Sequence, residues 1–331
     1  MFRVSIIILL FLAINTHAQP YKNLVLEGGG IRGIAYVGAL EELTQRHMID
    51  QVENVAGTSV GAVAGCLYAM GYTPAQMKEI MEDLRIQTFN DGHWIFFGGF
   101  ARTKNRFGWY RGDAIEHWVG KKIAARTGSE HTSFAQLHER AQRDHSFKDL
   151  YITATNLSQQ KVTVFNWKNY PDMEIRTAVR ASMSVPLYFS AVFLDNKGHK
   201  VSKKDKNMTH DIYVDGGILA NYPITVFDSL YDKRQTLGLK LERPEQMEVY
   251  KQYGTYLAPY NISNFKNYVG AFYNVVLKGL NKPADFAEEA ARTIYISTGN
   301  INPRVRKISK EQKQLLYENG KRAAAAFKAE Q

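Results

Sequence analysis

Short apolar runs alternate along this chain with longer stretches in which apolar positions recur every three or four residues. The short runs predict strands at 23–26, 52–56, 150–155, 162–165, 212–214, 236–241 and Thr293–Ser297. The periodic stretches predict helices between them. The first spans 34–47, with Tyr36, Leu40, Leu43 and His47 on one face, and the next, 60–70, is apolar nearly all round and so buried on every side. Thr73-Pro74-Ala75-Gln76 is a capping box with proline at the first helical position, and Met77, Ile80, Met81 and Leu84 follow at helical spacing. Asp113 to Glu116 predicts another helix opened in the same capping style, and Ser309-Lys310-Glu311-Gln312 opens the last one. Strands alternating with helices imply an α/β fold around a largely parallel sheet. There is no repeat, low-complexity linker or composition shift, so one domain is expected from residue 19 to 331.

The N-terminus breaks this pattern. A basic start at Met1-Phe2-Arg3, an apolar stretch over 4–14 and Thr16-His17-Ala18 read as a secretory signal peptide of residues 1–18, leaving Gln19 first in the mature chain. The apolar run is short for a transmembrane helix, so an uncleaved anchor is the weaker reading. Export to the periplasm or beyond the cell is therefore expected. The lone Cys66 cannot form an intrachain disulfide and sits in an apolar stretch, as a small buried hydrophobe does.

The formal net charge is +10, or +9 without Arg3, with much of the excess in 197–206 and 304–328. A positive surface favours anionic partners, and after export these are phospholipid surfaces rather than nucleic acid; the plainer reading of both stretches is a solvated loop and a solvated helix face. Residues 89–110 interleave Phe89, Trp94, Phe96, Phe97, Phe100, Phe107, Trp109 and Tyr110 with glycines and with Arg102, Lys104 and Arg106. This composition suits a mobile lid at a lipid–water interface, or else a roof over the core.

Chemistry concentrates in two glycine-flanked turns. Gly57-Thr58-Ser59-Val60-Gly61 has the G-x-S-x-G form of a nucleophile elbow between a strand and a helix, where glycines permit the sharp turn that lifts a serine hydroxyl clear of the sheet. Gly28-Gly29-Gly30-Ile31-Arg32-Gly33 stands at the preceding strand-to-helix turn and leaves backbone N–H groups to hold negative charge. The glycine run also fits the dinucleotide fingerprint G-x-G-x-x-G. Export, the serine elbow at the next turn, and the position of Asp50 before the second strand rather than at its end weigh against that reading.

A serine nucleophile needs a base. None of the nine histidines, at 17, 47, 93, 117, 131, 138, 145, 199 and 210, stands in a glycine-bounded strand end late in the chain. Asp215-Gly216-Gly217 does stand at a strand end, followed by Asn221 and Pro223, and a carboxylate there could take the serine proton directly.

Gly-Gly-Gly-x-Arg-Gly, then Gly-x-Ser-x-Gly, then Asp-Gly-Gly with Asn-x-Pro, in this order, resembles the patatin-like phospholipase family. Ala178-Val179-Arg180-Ala181-Ser182-Met183-Ser184-Val185-Pro186 resembles that family's central block, and Tyr110-x-Gly112-Asp113 fits a turn of its bacterial members. The resemblance covers about 22–241; it implies a three-layer α/β sandwich with a mainly parallel central sheet, and says nothing of 242–331. It implies a Ser59–Asp215 dyad without a catalytic histidine, and an oxyanion hole from Gly28, Gly29 and Gly30. Arg32, Gly33, Gly57, Gly61, Gly216 and Gly217 support these groups, Arg32 by orienting the loop or meeting a head-group phosphate. Glu27 departs from the aspartate more usual in the family. The activity implied is hydrolysis of acyl esters of phospholipids or neutral lipids with no metal or cofactor, and the positive charge adds peripheral contact with an anionic membrane surface. A carboxylesterase acting on small soluble esters and a catalytically silent membrane-binding protein remain as alternatives.

Overall fold

The computed structural model describes residues 21–84, 86–92, 95–202, 209–301 and 308–328. The leader expected at 1–18, His93, Trp94, the side chains of Phe96 and Phe97, and the basic residues at 203–206 and 304–307 lie outside the described residues.

Among the described residues ten strands form: β1 (Asn23–Leu26), β2 (Asn54–Gly57), β3 (Gly108–Tyr110), β4 (Asp149–Asn156), β5 (Lys161–Phe165), β6 (Leu187–Phe189), β7 (Val192–Leu194), β8 (Asp211–Asp215), β9 (Thr236–Glu242) and β10 (Thr293–Ser297). Eight build the main sheet along the hydrogen-bonded path β10-β9-β1-β2-β4-β8-β7, with β5 also on β4. β10, β9, β1, β2 and β4 run parallel; β5, β7 and β8 pair antiparallel. β3 and β6 form a separate two-stranded sheet.

Alternation along the strands places helices on both faces. Leu24, Leu26, Val55, Leu150 and Ile152 point into the main core, which the helices Ile34–Gln45, Val60–Ala69 and Ile175–Ser182 also fill. Val25, Ala56 and Tyr151, one residue out of step, meet Ile224 and Phe227 in a smaller cluster on the opposite face. The three-layer α/β architecture expected from the sequence is the one observed.

One detail of register positions the site. Ile152 pairs with both Gly57 of β2 and Phe165 of β5, while Ala154 pairs with both Asp215 of β8 and Thr163 of β5. β5 therefore takes one edge of β4, and β2 and β8 share the other. β2 runs parallel to β4 and β8 antiparallel, so their C-terminal ends meet head-on across Thr153.

Several boundaries differ from expectation. The first helix stops at Gln45, and His47, expected on its buried face, adopts φ 55° and pairs with Asp50 at the surface. β2 begins at Asn54 rather than at residue 52. The helix Asp113–Thr127 has Gly112, at φ 75°, as its N-cap with no side-chain cap; Asp91, from outside the helix, accepts the N–H groups of Gly112 and Ala114 instead. The Thr73 and Ser309 boxes form as expected, and Cys66 is buried. The aromatic stretch is not a glycine loop. It contains the helix Ile95–Arg106 and then β3, and Gly99 lets that helix close onto the Trp109 ring. Phe89 is buried in the core, whereas Phe100 and Phe107 are exposed.

Candidate active site

Ser59 occupies the tip between β2 and the helix Val60–Ala69, at φ 53° and ψ −120°. This is a strained backbone for a residue with a side chain, and it persists only where the surroundings enforce it. The flanking glycines do so: a Cβ on Gly57 would lie 2.4 Å from the Gly61 carbonyl oxygen, and one on Gly61 would lie 2.3 Å from that of Leu26. The Ser59 N–H donates to Ser182 Oγ at 2.8 Å. Thr58 is tied to Thr153 and to the Ala220 carbonyl.

The head-on meeting of β2 and β8 brings Ser59 to Asp215. Ser59 Oγ donates to Asp215 Oδ2 at 2.8 Å, and the Gly217 N–H donates to Oδ1 at 2.7 Å. The Asp215 backbone is held on both sides, its N–H by the Ser184 carbonyl and its carbonyl by Thr155 Oγ1. Burial pushes the Asp215 carboxyl up to about 6, against the opposing pull of the Gly217 N–H and the Ser59 hydroxyl. Among the described residues, no histidine hydrogen-bonds to either side chain.

The glycine loop lies alongside. The Gly28 N–H donates to the Asn221 carbonyl at 2.9 Å, so it is already used. Among the described residues, no protein acceptor takes the N–H of Gly29 or Gly30. Arg32, expected to orient the loop, meet a phosphate or face solvent, is buried, and its Nε donates to the Gly29 carbonyl at 2.9 Å. Gly33 caps the helix Ile34–Gln45, and Gly216 caps the short helix Gly217–Ala220. Asp50, the acid weighed for a dinucleotide ribose, pairs with His47 at the surface.

Behind the loop is a charged network that sequence reasoning did not find. Glu27 Oε2 accepts the Leu241 N–H and Oε1 accepts Asn221 Nδ2. Lys278 Nζ lies 2.5 Å from Glu242 and 3.9 Å from Glu27. Burial raises the Glu27 carboxyl, while Lys278 and then Lys240 pull it down. Asn281 Oδ1 accepts the Asn221 N–H at 2.6 Å, and its Nδ2 reaches the carbonyls of Gly217 and Ile218. Ser182 and Ser184 were legible only as part of the resembling block. Arg180 holds Ser184 in place, donating to its Oγ and to the carbonyls of Arg111 and Ser190.

A strained serine faces a buried carboxylate at the junction of two strand ends, and the molecule around them is a three-layer α/β protein. The model of the patatin-like phospholipase family matches residues 24–228, and the chain belongs to that family. It is 30% identical to protein R571 of Acanthamoeba polyphaga mimivirus over 75% of this chain and 73% of that one. It is 26% identical to a probable lipid hydrolase, 463L, of Invertebrate iridescent virus 6, over 65% of this chain and 66% of that one. Among solved structures, VipD from Legionella pneumophila superposes with a TM-score of 0.58 at 17% identity, over 93% of this chain and 66% of that chain. ExoU, in its complex with SpcU from Pseudomonas aeruginosa, gives 0.55 at 20% identity over 92% of this chain and 50% of that one. The chain thus spans two thirds or less of these solved proteins, which share its fold.

Proposed function

We propose that this protein cleaves carboxylic ester bonds of phospholipids, as a phospholipase A type acyl hydrolase working through a Ser59–Asp215 dyad. The observation that carries the reading is the 2.8 Å hydrogen bond from a strained serine to a buried carboxylate, beside the uncommitted amides of Gly29 and Gly30. Asp215 takes the Ser59 proton as Oγ attacks the ester carbonyl, and the Gly29 and Gly30 N–H groups hold the oxyanion. The proton then passes to the departing alkoxide, leaving an acyl-enzyme. Water, deprotonated by Asp215, hydrolyses the acyl-enzyme and restores Ser59. Gly28, used by Asn221, serves the loop's shape rather than the oxyanion. Family membership supports a lipid ester over other acyl compounds, and the leader sequence supports action after export, in the periplasm or outside the cell, in peripheral contact with an anionic membrane.

The test is fatty-acid release from mixed phosphatidylglycerol and phosphatidylethanolamine vesicles in excess EDTA. The parent should release fatty acid, and Ser59→Ala and Asp215→Ala should each lose about a thousandfold or more. Vesicle hydrolysis surviving in either variant would exclude the dyad. If the parent cleaves only short soluble esters, the carboxylesterase reading replaces this one; silence on both substrates would favour a membrane-binding role.

A further inference from the structure

The helix Phe265–Leu280 exposes much of its apolar surface. Ordinary surface helices turn apolar side chains inward and polar ones to water. Here Lys278 points inward to Glu242, and Asn281, just past the helix end, grips the Gly217–Ile218 carbonyls. Outward stand Tyr268, Phe272, Val275, Val276 and Leu280, between 38% and 58% exposed. Their spacing of three and four residues makes them one stripe, about 18 Å long at the helical rise.

Tyr253, Tyr256 and Ile262, all more than half exposed, extend the same character along the preceding segment. Eight of the fifteen large apolar side chains that stand exposed among the described residues therefore fall between 253 and 280. A concentration of this kind marks a surface that something apolar covers.

Composition says what covers it. Between Glu248 and Asp285 the chain has no acidic residue, but it has four lysines and six tyrosines. Lys278 is committed internally and Lys251 pairs with Glu248; Lys282, just past the helix end, is exposed. A tyrosine-rich apolar stretch with no acidic residue of its own and an exposed lysine at its end fits the boundary between water and anionic lipid. No described helix is long and apolar enough to cross a membrane, and a one-sided stripe suits lying in the interface plane. The stripe ends beside Asn281, which bonds Gly217, whose N–H in turn holds Asp215. A lipid surface seated there is presented to the serine turn.

We propose that the outward face of Phe265–Leu280 is the lipid-docking surface of this protein, which seats the substrate-bearing bilayer over Ser59. The proposal rests on the lipid-hydrolase reading above for its purpose, but docking is measured apart from turnover. The probe is flotation of Ser59→Ala protein with phosphatidylglycerol/phosphatidylcholine vesicles, alone and with Val275→Gln, Val276→Gln and Leu280→Gln combined. Glutamine keeps helix propensity while removing the apolar stripe. The triple variant should lose vesicle binding about tenfold or more, while Phe100→Gln with Leu187→Gln, exposed apolar positions outside 253–280, should float as the parent does. With Ser59 restored, the triple variant should lose vesicle hydrolysis by a similar factor and keep its rate on soluble p-nitrophenyl butyrate. Undiminished flotation of the triple variant, or a parent that does not float, overturns the proposal. So does loss of the soluble-ester rate together with binding, because the change then damages the fold. Flotation lost in the triple variant, with no ester cleaved by any form, sustains docking while refuting the hydrolase.

Discussion

Asp215 carries two opposed demands. As the base for Ser59 it must be ionised, yet its burial raises the carboxyl to about 6. The raised value makes it a better proton acceptor than an ordinary carboxylate at neutral pH, where it is still mostly charged. kcat/KM on a soluble ester should therefore climb through about pH 6 and level off above it. The same shift costs stability. A carboxyl whose folded value exceeds its unfolded one contributes stability at low pH that is lost as pH rises towards the folded value. A shift of about two units corresponds to roughly 3 kcal/mol. Asp215→Asn, which can still accept the Gly217 N–H, should accordingly raise the melting temperature at pH 7.5. The gain should shrink as pH falls from 6 towards 4. A melting temperature that rises equally at both ends would mean that the carboxyl is not perturbed in the fold.

At the scale of elements, the two glycine turns look alike in sequence but tolerate bulk differently. A Cβ on Gly61 would meet backbone, the Leu26 and Glu27 carbonyl oxygens at 2.3 and 2.6 Å, which cannot move without breaking the β1 end. A Cβ on Gly29 would meet the Leu241 side chain at 2.4 Å, the tip of a group that can rotate away. Gly61→Ala should therefore destabilise by several kcal/mol, on the order of an overpacked core, and give little soluble protein. Gly29→Val should fold, but lose about a hundredfold to a thousandfold in kcat by displacing the oxyanion donors. Thermal melting and kcat on the same samples separate the two outcomes; full activity in Gly29→Val would move the oxyanion hole elsewhere. These turns were legible because tight backbone geometry admits few residue types, and the strands were legible because buried parallel strands are nearly all apolar. β3, β6 and β7 were not, since three-residue strands carry no periodicity. The helix Phe265–Leu280 was missed for a related reason: Tyr268, Phe272, Val275, Val276 and Leu280 stand exposed, so their pattern did not tie it to the core.

At the scale of the whole molecule, the site reaches beyond the residues that resemble the family. The family match ends at 228, but β9 pairs directly with β1, the strand that launches the glycine loop. Leu241 and Glu242 of β9 bring a second acid next to Glu27, and one cation, Lys278, serves both. Although burial works against its charge, Glu242 and Glu27 hold the Lys278 ammonium above its usual range. None of these three positions signalled its role in the sequence, because a buried ion network depends on long-range packing that no local pattern encodes. Lys278→Met would leave Glu242 and Glu27 buried without their counter-ion, a loss of about 3–5 kcal/mol by the usual cost of breaking a buried pair. Replacing Glu242 by glutamine in the same molecule removes one of the two stranded charges, so Lys278→Met with Glu242→Gln should recover part of the lost stability. Denaturant melts of the two single variants and the double variant form the cycle that measures this coupling. Recovery of stability without recovery of kcat would make Lys278 a positioning residue for the glycine loop. Additive losses across the cycle would instead mean that Lys278 and Glu242 stabilise the fold independently, and that the helix Phe265–Leu280 does not reach the site through them.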